Sequence, residues 1–299
     1  MSKLLVCDPI DASAIQEMRD AGIEVEVRDD ITADALAEII GNYEGIVVRS
    51  RTKVPAALID RADQLKVVIR GGVGLDSIDV AYAESKGIDV RNTPAANSNA
   101  VVELVLGLML ALSRHITRAD AAMKDGRWEK KTLGGIELAG KTLGIIGYGR
   151  IGQMLAEKAR PLGMKVVASD PYVEHEDIVS LDSLLKTADF ISLHIPATDE
   201  TRDLIDEGAL SKVKPGVYLI QASRGGTVNE TALYEALVNG TLAGAGLDVY
   251  TEEPPERAAL RKLVELPQVI ATPHLGASTQ EAKARVGEEI VKIAKSYLA

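Results

Sequence analysis

Residues 142–152 read Thr-Leu-Gly-Ile-Ile-Gly-Tyr-Gly-Arg-Ile-Gly, and the architecture follows from this stretch. It begins as an apolar run and ends in the pattern G-x-G-x-x-G, formed by Gly147, Gly149 and Gly152. A strand over residues 143–146 leads into the glycines and a helix over residues 151–160 leaves them, which is the context that makes such a motif informative. The stretch therefore predicts the first strand–helix turn of a doubly wound parallel sheet.

Each position of the motif has a physical task in binding a dinucleotide. Gly147 permits the tight turn, Gly149 lets the backbone approach a pyrophosphate, and Gly152 lets the helix pack against the strand. The helix that begins with Arg150 and Ile151 presents free N–H groups and a positive dipole end to the phosphates. The alternative, in which the glycines serve packing alone, does not use this helix terminus.

Asp170 selects between the two nicotinamide dinucleotides. It ends the next predicted strand, residues 165–168, and lies 18 residues beyond Gly152. A carboxylate there would accept hydrogen bonds from the ribose 2′-hydroxyl, and its charge would repel a 2′-phosphate. The expected cofactor is therefore NAD rather than NADP.

Short apolar runs alternate with helical stretches on both sides of the motif. We predict strands at residues 4–7, 24–27, 45–48, 65–69, 88–90, 142–146, 165–168, 190–193, 217–220, 245–247 and 269–271. Helices are predicted at residues 12–20, 33–40, 55–62, 100–113 and 280–298. This alternation predicts an α/β fold of two doubly wound, Rossmann-like parallel-sheet domains with a cleft between them. Residues 1–93 with 278–299 would bind substrate, and residues 94–277 would bind the dinucleotide.

Composition narrows the functional classes. The chain has 299 residues, 46% of them hydrophobic, and a net charge of −10, which argues against disorder and against nucleic-acid binding. Cys7 is the single cysteine, so no intrachain disulfide exists, and four scattered histidines give no metal-ligand spacing. The apolar run at residues 100–112 is too short to span a bilayer, and no signal peptide is recognised. We expect a cytoplasmic enzyme with no membrane, nucleic-acid or metal partner.

Three consecutive strand ends carry polar groups. Arg224 follows the strand at residues 217–220, Asp248 and Glu253 follow the next strand, and His274 follows residues 269–271. Carboxyl ends of parallel strands meet at the ligand-binding edge, and a histidine there can take the proton of an alcohol. Capping and loop salt bridges are the alternative explanation. His194, which ends residues 190–193, either lines the cofactor cleft or is structural.

Together these motifs resemble the D-2-hydroxyacid dehydrogenase family over nearly the whole chain. The resemblance implies that Arg224 holds the substrate carboxylate and carbonyl, that His274 is the general acid/base, and that Glu253 raises the His274 pKa. It also implies that Asp248 faces the nicotinamide end. Further cofactor contacts are expected at the strand ends, from His194, Ile195, Pro196, Thr201, Ala222, Ser223, Gly276 and Ala277.

Within that family, residues 48–54, 70–74, 92–98 and 124–129 resemble the phosphoglycerate dehydrogenases. A phosphorylated substrate needs an anion pocket, and arginine binds two phosphate oxygens at once. The predicted substrate-binding residues are Arg49, Arg51, Arg70, Gly72, Val73 and Asn97. For Arg51 an ordinary surface salt bridge is an equally weighted alternative. Two positions depart from the pattern: Gln221 where the family often has Asn, and Val73 where Thr is common.

The resemblance implies NAD-dependent oxidation of 3-phospho-D-glycerate to 3-phosphohydroxypyruvate, a step of serine biosynthesis. Alternatives are a glyoxylate or hydroxypyruvate reductase and an NAD-sensing, corepressor-like binding protein. The resemblance also implies a homodimer formed through the second domain, with residues 100–113 and the loop holding Trp128 at the interface. Longer relatives carry a C-terminal regulatory domain that binds serine; since the chain ends at Ala299, no serine feedback by that route is expected.

Overall fold

The computed structural model describes all 299 residues, Met1–Ala299, and they divide into two units. Unit 1 comprises Met1–Ser98 and Ala277–Ala299, and unit 2 comprises Asn99–Gly276. The chain passes from unit 1 to unit 2 after Ser98, five residues later than the Thr93/Pro94 boundary expected from the sequence. The reason is local: Ala96 is buried in the core of unit 1, and its carbonyl accepts a hydrogen bond from Arg285 at 2.9 Å.

Unit 1 is a five-stranded parallel sheet in the order β2-β1-β3-β4-β5, covered by helices. Its strands are β1 (Lys3–Val6), β2 (Glu24–Val27), β3 (Gly45–Val48), β4 (Val67–Arg70) and β5 (Asp89–Asn92). Its helices in the first segment are α1 (Ala12–Asp20), α2 (Ala33–Ile39), α3 (Ala56–Ile59) and α4 (Val80–Ser85). The sheet order reverses direction at β1, as doubly wound sheets do.

Unit 2 is a six-stranded parallel sheet in the order β11-β10-β9-β8-β6-β7. Its strands are β6 (Thr142–Ile146), β7 (Lys165–Ser169), β8 (Phe190–Leu193), β9 (Val217–Gln221), β10 (Leu242–Leu247) and β11 (Val269–Ala271). The remaining helices are α5 (Ser98–Ser113), α6 (Ile116–Lys124), α7 (Arg150–Ala159), α8 (Leu181–Thr187), α9 (Glu207–Leu210), α10 (Glu230–Val238), α11 (Ala258–Val264) and, in unit 1, α12 (Gln280–Leu298). The order reverses at β6, which places the glycine motif at the switch point.

Aliphatic side chains form the cores on both faces of each sheet. The central strands β3, β8 and β9 are buried along their whole length, which is why they read as continuous apolar runs. Because only 3% of the residues are aromatic, these layers are filled mainly with Val, Ile, Leu and Ala. The expected fold class, two doubly wound parallel-sheet units, is confirmed.

Several predicted elements have the observed bounds, and others do not. The predicted limits of β6, β8, β11 and α12 match, and Thr32 caps α2 through the Ala35 N–H as expected. The helix predicted at residues 55–62 is only Ala56–Ile59. Helix α6 was not predicted; its N-terminal neighbour, His115, adopts a left-handed φ of 53° that separates it from α5.

No single helix combines the length and the apolar character needed to cross a membrane. One bent pair, Ser98–Ser113 with Ile116–Lys124, passes that test by length and composition only.

Candidate active site

The glycine turn between β6 and α7 is closely packed at two of its three glycines. Gly147 has a φ of 91°, and a Cβ there would lie 2.5 Å from the carbonyl oxygen of His194. A Cβ on Gly152 would overlap the carbonyl oxygen of Gly147. Any larger side chain at either position would separate the helix from the sheet.

Gly149, in contrast, faces open space. It is the N-cap of α7, makes no side-chain cap bond, and has no atom within 4 Å of where a Cβ would stand. The space beside Gly149 can therefore admit a ligand at the N-terminus of α7, and a helix N-terminus attracts anions. These residues fit the pyrophosphate of a dinucleotide, with Arg150 and Ile151 in the first turn of the helix.

Asp170 follows the last residue of β7, next to the glycine turn. Its carboxylate accepts the N–H of Tyr148 at 2.8 Å and the N–H of Tyr172 at 2.9 Å. These two bonds fix the carboxylate beside the turn and leave lone pairs on both oxygens. The fixed carboxylate can therefore accept hydrogen bonds from a ribose, and the ribose contact itself remains a prediction.

The loop after β8 contains a neutral histidine. The Nε2 atom of His194 is 2.9 Å from Oγ of Ser192, whereas its Nδ1 atom is inaccessible and has no partner. Burial lowers the pKa of His194 to about 4, so the ring is uncharged at neutral pH. Thr201 donates its hydroxyl to the Pro196 carbonyl at 2.6 Å. Thr201 thus closes the loop, and its hydroxyl proton is not free for the predicted contact with the cofactor.

Gln221, the last residue of β9, organises the turn that carries Arg224. Its amide nitrogen donates to the Arg224 carbonyl at 2.9 Å and to Oγ1 of Thr227 at 2.5 Å. Its amide oxygen accepts from Oγ of Ser223 at 2.8 Å and from the Ser223 N–H at 3.2 Å. The Ser223 hydroxyl proton is therefore used within the turn, and buried Ala222 lies between these two residues.

The Arg224 turn packs directly on the chain that leads to Glu253. A Cβ on Gly225 would overlap the Tyr250 carbonyl, so only glycine allows this approach. The Arg224 guanidinium donates to the Ser223 carbonyl at 2.7 Å. It also lies close enough to Glu253 and His274 for its charge to lower the pKa of each. Arg224, Glu253 and His274 thus form one cluster within unit 2.

Glu253 and His274 form a hydrogen-bonded pair that becomes an ion pair when His274 is protonated. Nδ1 of His274 lies 2.8 Å from Oε2 of Glu253, and Oε1 accepts the Tyr250 N–H at 3.2 Å. The hydrogen bond with Glu253 raises the pKa of His274, against the opposing effect of burial. Burial alone would raise the pKa of Glu253, but the hydrogen bond and charge of His274, with smaller contributions from the Tyr250 N–H and Arg224, hold it below its ordinary value.

Asp248 stabilises the loop that carries His274. Its buried carboxylate accepts the hydroxyl of Thr272 at 2.6 Å, the N–H of Leu275 at 2.7 Å and the N–H of Gly276 at 2.9 Å. His274 has a φ of 53°, a conformation that non-glycine residues adopt only when the surroundings hold it. Both oxygens of Asp248 are bound to this loop, and the expectation that Asp248 faces a nicotinamide stays a prediction.

In unit 1, Arg49 and Arg70 stand at the ends of the neighbouring strands β3 and β4, where Val48 pairs with Arg70. The Arg49 N–H donates to the Asp8 carboxylate, and its Nη1 is 3.3 Å from the Pro9 carbonyl. The Arg70 guanidinium lies over Gly72, whose Cβ, if present, would overlap it. The Gly72 N–H donates to the Arg70 carbonyl at 2.9 Å, so the expected carboxylate contact from Gly72 is not available in this structure.

Arg51 has a structural role. Its Nε donates to buried Asp8 at 2.9 Å, and its Nη atoms donate to the carbonyls of Ile31 at 3.0 Å, Asp29 at 2.7 Å and Cys7. Four of its five donors are thus used to join the end of β1 to the segment before α2. The assignment of Arg51 to a phosphate pocket is therefore corrected.

Val73 and Asn97 retain groups that a ligand could use. The amide oxygen of Asn97 is buried without a partner, as is the hydroxyl of Thr93. The Val73 N–H has no intrachain acceptor, although its carbonyl accepts from Asn92 at 2.6 Å. Buried polar atoms without partners are rare, and they often mark ligand sites.

The sequence analysis did not predict the positioning roles of three residues: Asp8, Gln221 and Tyr250. Each ends or follows an apolar strand, and this was the available signal. The Tyr250 hydroxyl donates to the carbonyls of Leu247 and Thr272 at 3.0 and 3.1 Å, which joins the ends of β10 and β11. Only the folded chain shows that these side chains turn back onto the loops that they precede or follow.

The chain is similar to known proteins over most of its length. Residues 106–276 match the family model "D-isomer specific 2-hydroxyacid dehydrogenase, NAD binding domain". The hydroxypyruvate reductase of Thermotoga maritima is 49% identical over 96% of this chain and 95% of its own. The D-3-phosphoglycerate dehydrogenase of Archaeoglobus fulgidus is 45% identical over 98% of this chain, which spans only 57% of that protein.

Solved structures show the same fold. The D-lactate dehydrogenase of Aquifex aeolicus, crystallised with NAD and lactic acid, is 31% identical with a TM-score of 0.87, covering 99% of this chain and 95% of that one. The glyoxylate reductase of Paecilomyes thermophila is 29% identical with a TM-score of 0.91, covering 99% and 94%. The chain belongs to the D-isomer specific 2-hydroxyacid dehydrogenase family, and its cofactor is NAD.

Proposed function

We propose that the protein catalyses the NAD-dependent oxidation of 3-phospho-D-glycerate to 3-phosphohydroxypyruvate, and the reverse reduction. The observation that carries this proposal is the pair of arginines at the neighbouring strand ends of unit 1, Arg49 and Arg70. A phosphate dianion is best bound by guanidinium groups, which supply two parallel donors each. The similarity to D-3-phosphoglycerate dehydrogenases supports the same substrate.

Within unit 2, the histidine that is hydrogen-bonded to Glu253 performs the proton transfer. In the oxidative direction, neutral His274 takes the hydroxyl proton of the substrate, and Glu253 stabilises the resulting imidazolium. Arg224 neutralises the substrate carboxylate and polarises the carbonyl. The glycine turn between β6 and α7 would hold NAD, and the bound nicotinamide would supply the hydride acceptor for oxidation and, when reduced, the hydride donor for the reverse reaction. In the reductive direction, His274 starts protonated and returns the proton to the carbonyl oxygen.

Reduction of hydroxypyruvate or glyoxylate is the second candidate. The engaged donors of Arg51 favour it, because they remove one of three arginines from the expected phosphate pocket. The full-length similarity to a hydroxypyruvate reductase also favours it. The chemistry of Arg224, Glu253 and His274 would be unchanged.

The deciding experiment measures NADH consumption with phosphohydroxypyruvate, hydroxypyruvate, glyoxylate and pyruvate. A preference for the phosphorylated acid of at least about tenfold in kcat/KM supports the proposal, since one lost charged contact is worth that much. Arg49→Gln should then raise KM for that substrate and leave KM for hydroxypyruvate nearly unchanged. Preference for hydroxypyruvate or glyoxylate selects the second candidate, and NADH binding without turnover selects a corepressor-like binding protein.

We also propose that unit 2 forms a homodimer through α6 and the loop after it. Large apolar side chains are exposed there: Ile116 is 52%, Met123 56% and Trp128 77% exposed. Monomeric proteins seldom leave several such groups together in water.

A further inference from the structure

Unit 1 contains a cavity of about 530 Å³ between α2 and α3, apart from the residues assigned to catalysis. Buried Ile31, Leu36 and Leu58 contribute apolar surface to it. Small side chains such as Ala37 and Ala57 line its walls and leave the space open. Its volume lies in the range of about 300–1,000 Å³ that is typical of small-molecule sites.

The charged side chains that line this cavity are all positive. Arg51, Lys53 and Arg61 line it, and no Asp or Glu does, although the chain as a whole carries a net charge of −10. Lys53 and Arg61 form no ion pair or side-chain hydrogen bond within the chain. An apolar interior with a cationic margin complements a ligand with an aliphatic body and one anionic end.

We propose that this cavity is a regulatory site for a small aliphatic carboxylate. The apolar body of the ligand occupies the space beside Leu36 and Leu58, and its carboxylate is held by Lys53 and Arg61. The effect on turnover rests on the proposed function, whereas binding to the cavity does not.

Contacts within unit 1 connect the cavity to Arg49. Asp8, 1% exposed, accepts from Arg51 at 2.9 Å and from the Thr52 hydroxyl at 3.0 Å, and its other oxygen accepts the Arg49 N–H. A carboxylate in the cavity would attract the same guanidinium that neutralises Asp8. A buried charge that loses its partner is strongly destabilised, so the backbone at Arg49 would respond.

The binding arm of the test uses octanoate as the probe, with octanol as its uncharged counterpart, measured by calorimetry on the whole protein. We expect saturable octanoate binding that weakens at least about tenfold in Ala57→Phe, which fills the cavity, and in the double variant Lys53→Ala/Arg61→Ala. Lys292→Ala, an exposed lysine on α12, is the matched control and should bind as the parent does. All four substituted residues are exposed, so we expect each variant to fold, and NADH affinity should stay constant in every variant.

Absence of saturable binding, or equal binding in Ala57→Phe and the double variant, overturns the proposal. The second arm measures KM for the best keto acid at saturating octanoate. A change of about fivefold that disappears in Ala57→Phe supports the coupling. If the change in KM persists in Ala57→Phe, octanoate competes with substrate at Arg224 and the coupling is refuted. If octanoate leaves KM unchanged in the parent protein, the cavity has no regulatory role. If no keto acid is turned over, the proposed function fails while the binding arm still decides the site.

Discussion

The Nδ1 atom of His274 lies 2.8 Å from Oε2 of Glu253, and the other oxygen of that carboxylate is fixed by the Tyr250 N–H. This pairing leaves Nε2 of His274 as the nitrogen that can exchange a proton with substrate. It also stabilises the imidazolium, so the pKa of His274 is above its ordinary value of 6.5. The protonated form needed for reduction therefore persists to higher pH than in an isolated histidine.

The first prediction concerns this pH dependence. Reduction needs protonated His274, so kcat/KM should be maximal below the raised pKa and fall as the pH increases through it. Glu253→Gln removes the charge that raises this pKa, and we expect the falling limb to move to lower pH and the rate at pH 8 to drop about tenfold or more. An unshifted limb in the variant, at unchanged NADH affinity, would show that another group controls the profile.

The second prediction concerns His274 itself. His274→Gln keeps a polar side chain of similar size but cannot transfer a proton at neutral pH, so kcat should fall by about 10²–10⁴. NADH binding, measured by calorimetry, should remain within about twofold, since the glycine turn and Asp170 are untouched. Turnover near the parent rate would exclude His274 as the acid/base.

The third prediction uses the open space at Gly149. Gly149→Ala requires no unusual backbone, because φ is −76°, and meets no atom within 4 Å. We expect an unchanged melting temperature together with NADH binding weakened about tenfold or more, because the methyl group would occupy the approach to the pyrophosphate. Gly134→Ala, equally unobstructed but in a loop distant in sequence, is the control. Unchanged NADH affinity would show that the pyrophosphate does not approach Gly149.

The fourth prediction concerns cofactor choice. Asp170→Asn retains oxygen and nitrogen atoms at the turn but removes the charge that would repel a 2′-phosphate. The ratio of kcat/KM for NADH over NADPH should fall by about tenfold, mainly through better use of NADPH. A ratio equal to that of the parent would mean that Asp170 serves only to fix the N–H groups of Tyr148 and Tyr172.

The glycine motif and the strand order around it could be predicted because each depends on local sequence. Gly147 and Gly152 are required by contacts that any strand–helix turn of this kind makes, and a run such as Phe190–Leu193 is apolar because both faces of the sheet are covered. Arg224, Glu253 and His274 could be grouped because parallel strands end at the same edge.

The roles of Arg51 and Asp248 could not be predicted, because they depend on what lies opposite. Arg51, two residues after Arg49, was itself predicted to bind the phosphate, but its side chain reaches carbonyls about 20 and 44 residues away. Asp248 is placed correctly at a strand end, but its partners are amides of the His274 loop, 27 and 28 residues further on. Side-chain orientation at a strand end is a tertiary property.

The fifth prediction concerns assembly. Trp128 is 77% exposed and lies with Met123 beside a cavity of about 280 Å³ that Ala119 and Leu133 also line. A second copy of the chain would remove these groups from water, and a tryptophan at the centre of an interface commonly carries much of the binding free energy. Light scattering at micromolar concentration should therefore give the mass of a dimer, whereas Trp128→Glu should raise the dimer Kd by about thirtyfold or more. Val238→Glu, an exposed apolar residue at the end of α10, should leave the dimer intact. A parent protein that scatters as a monomer, or a Trp128→Glu variant that dimerises as the parent does, would contradict this interface.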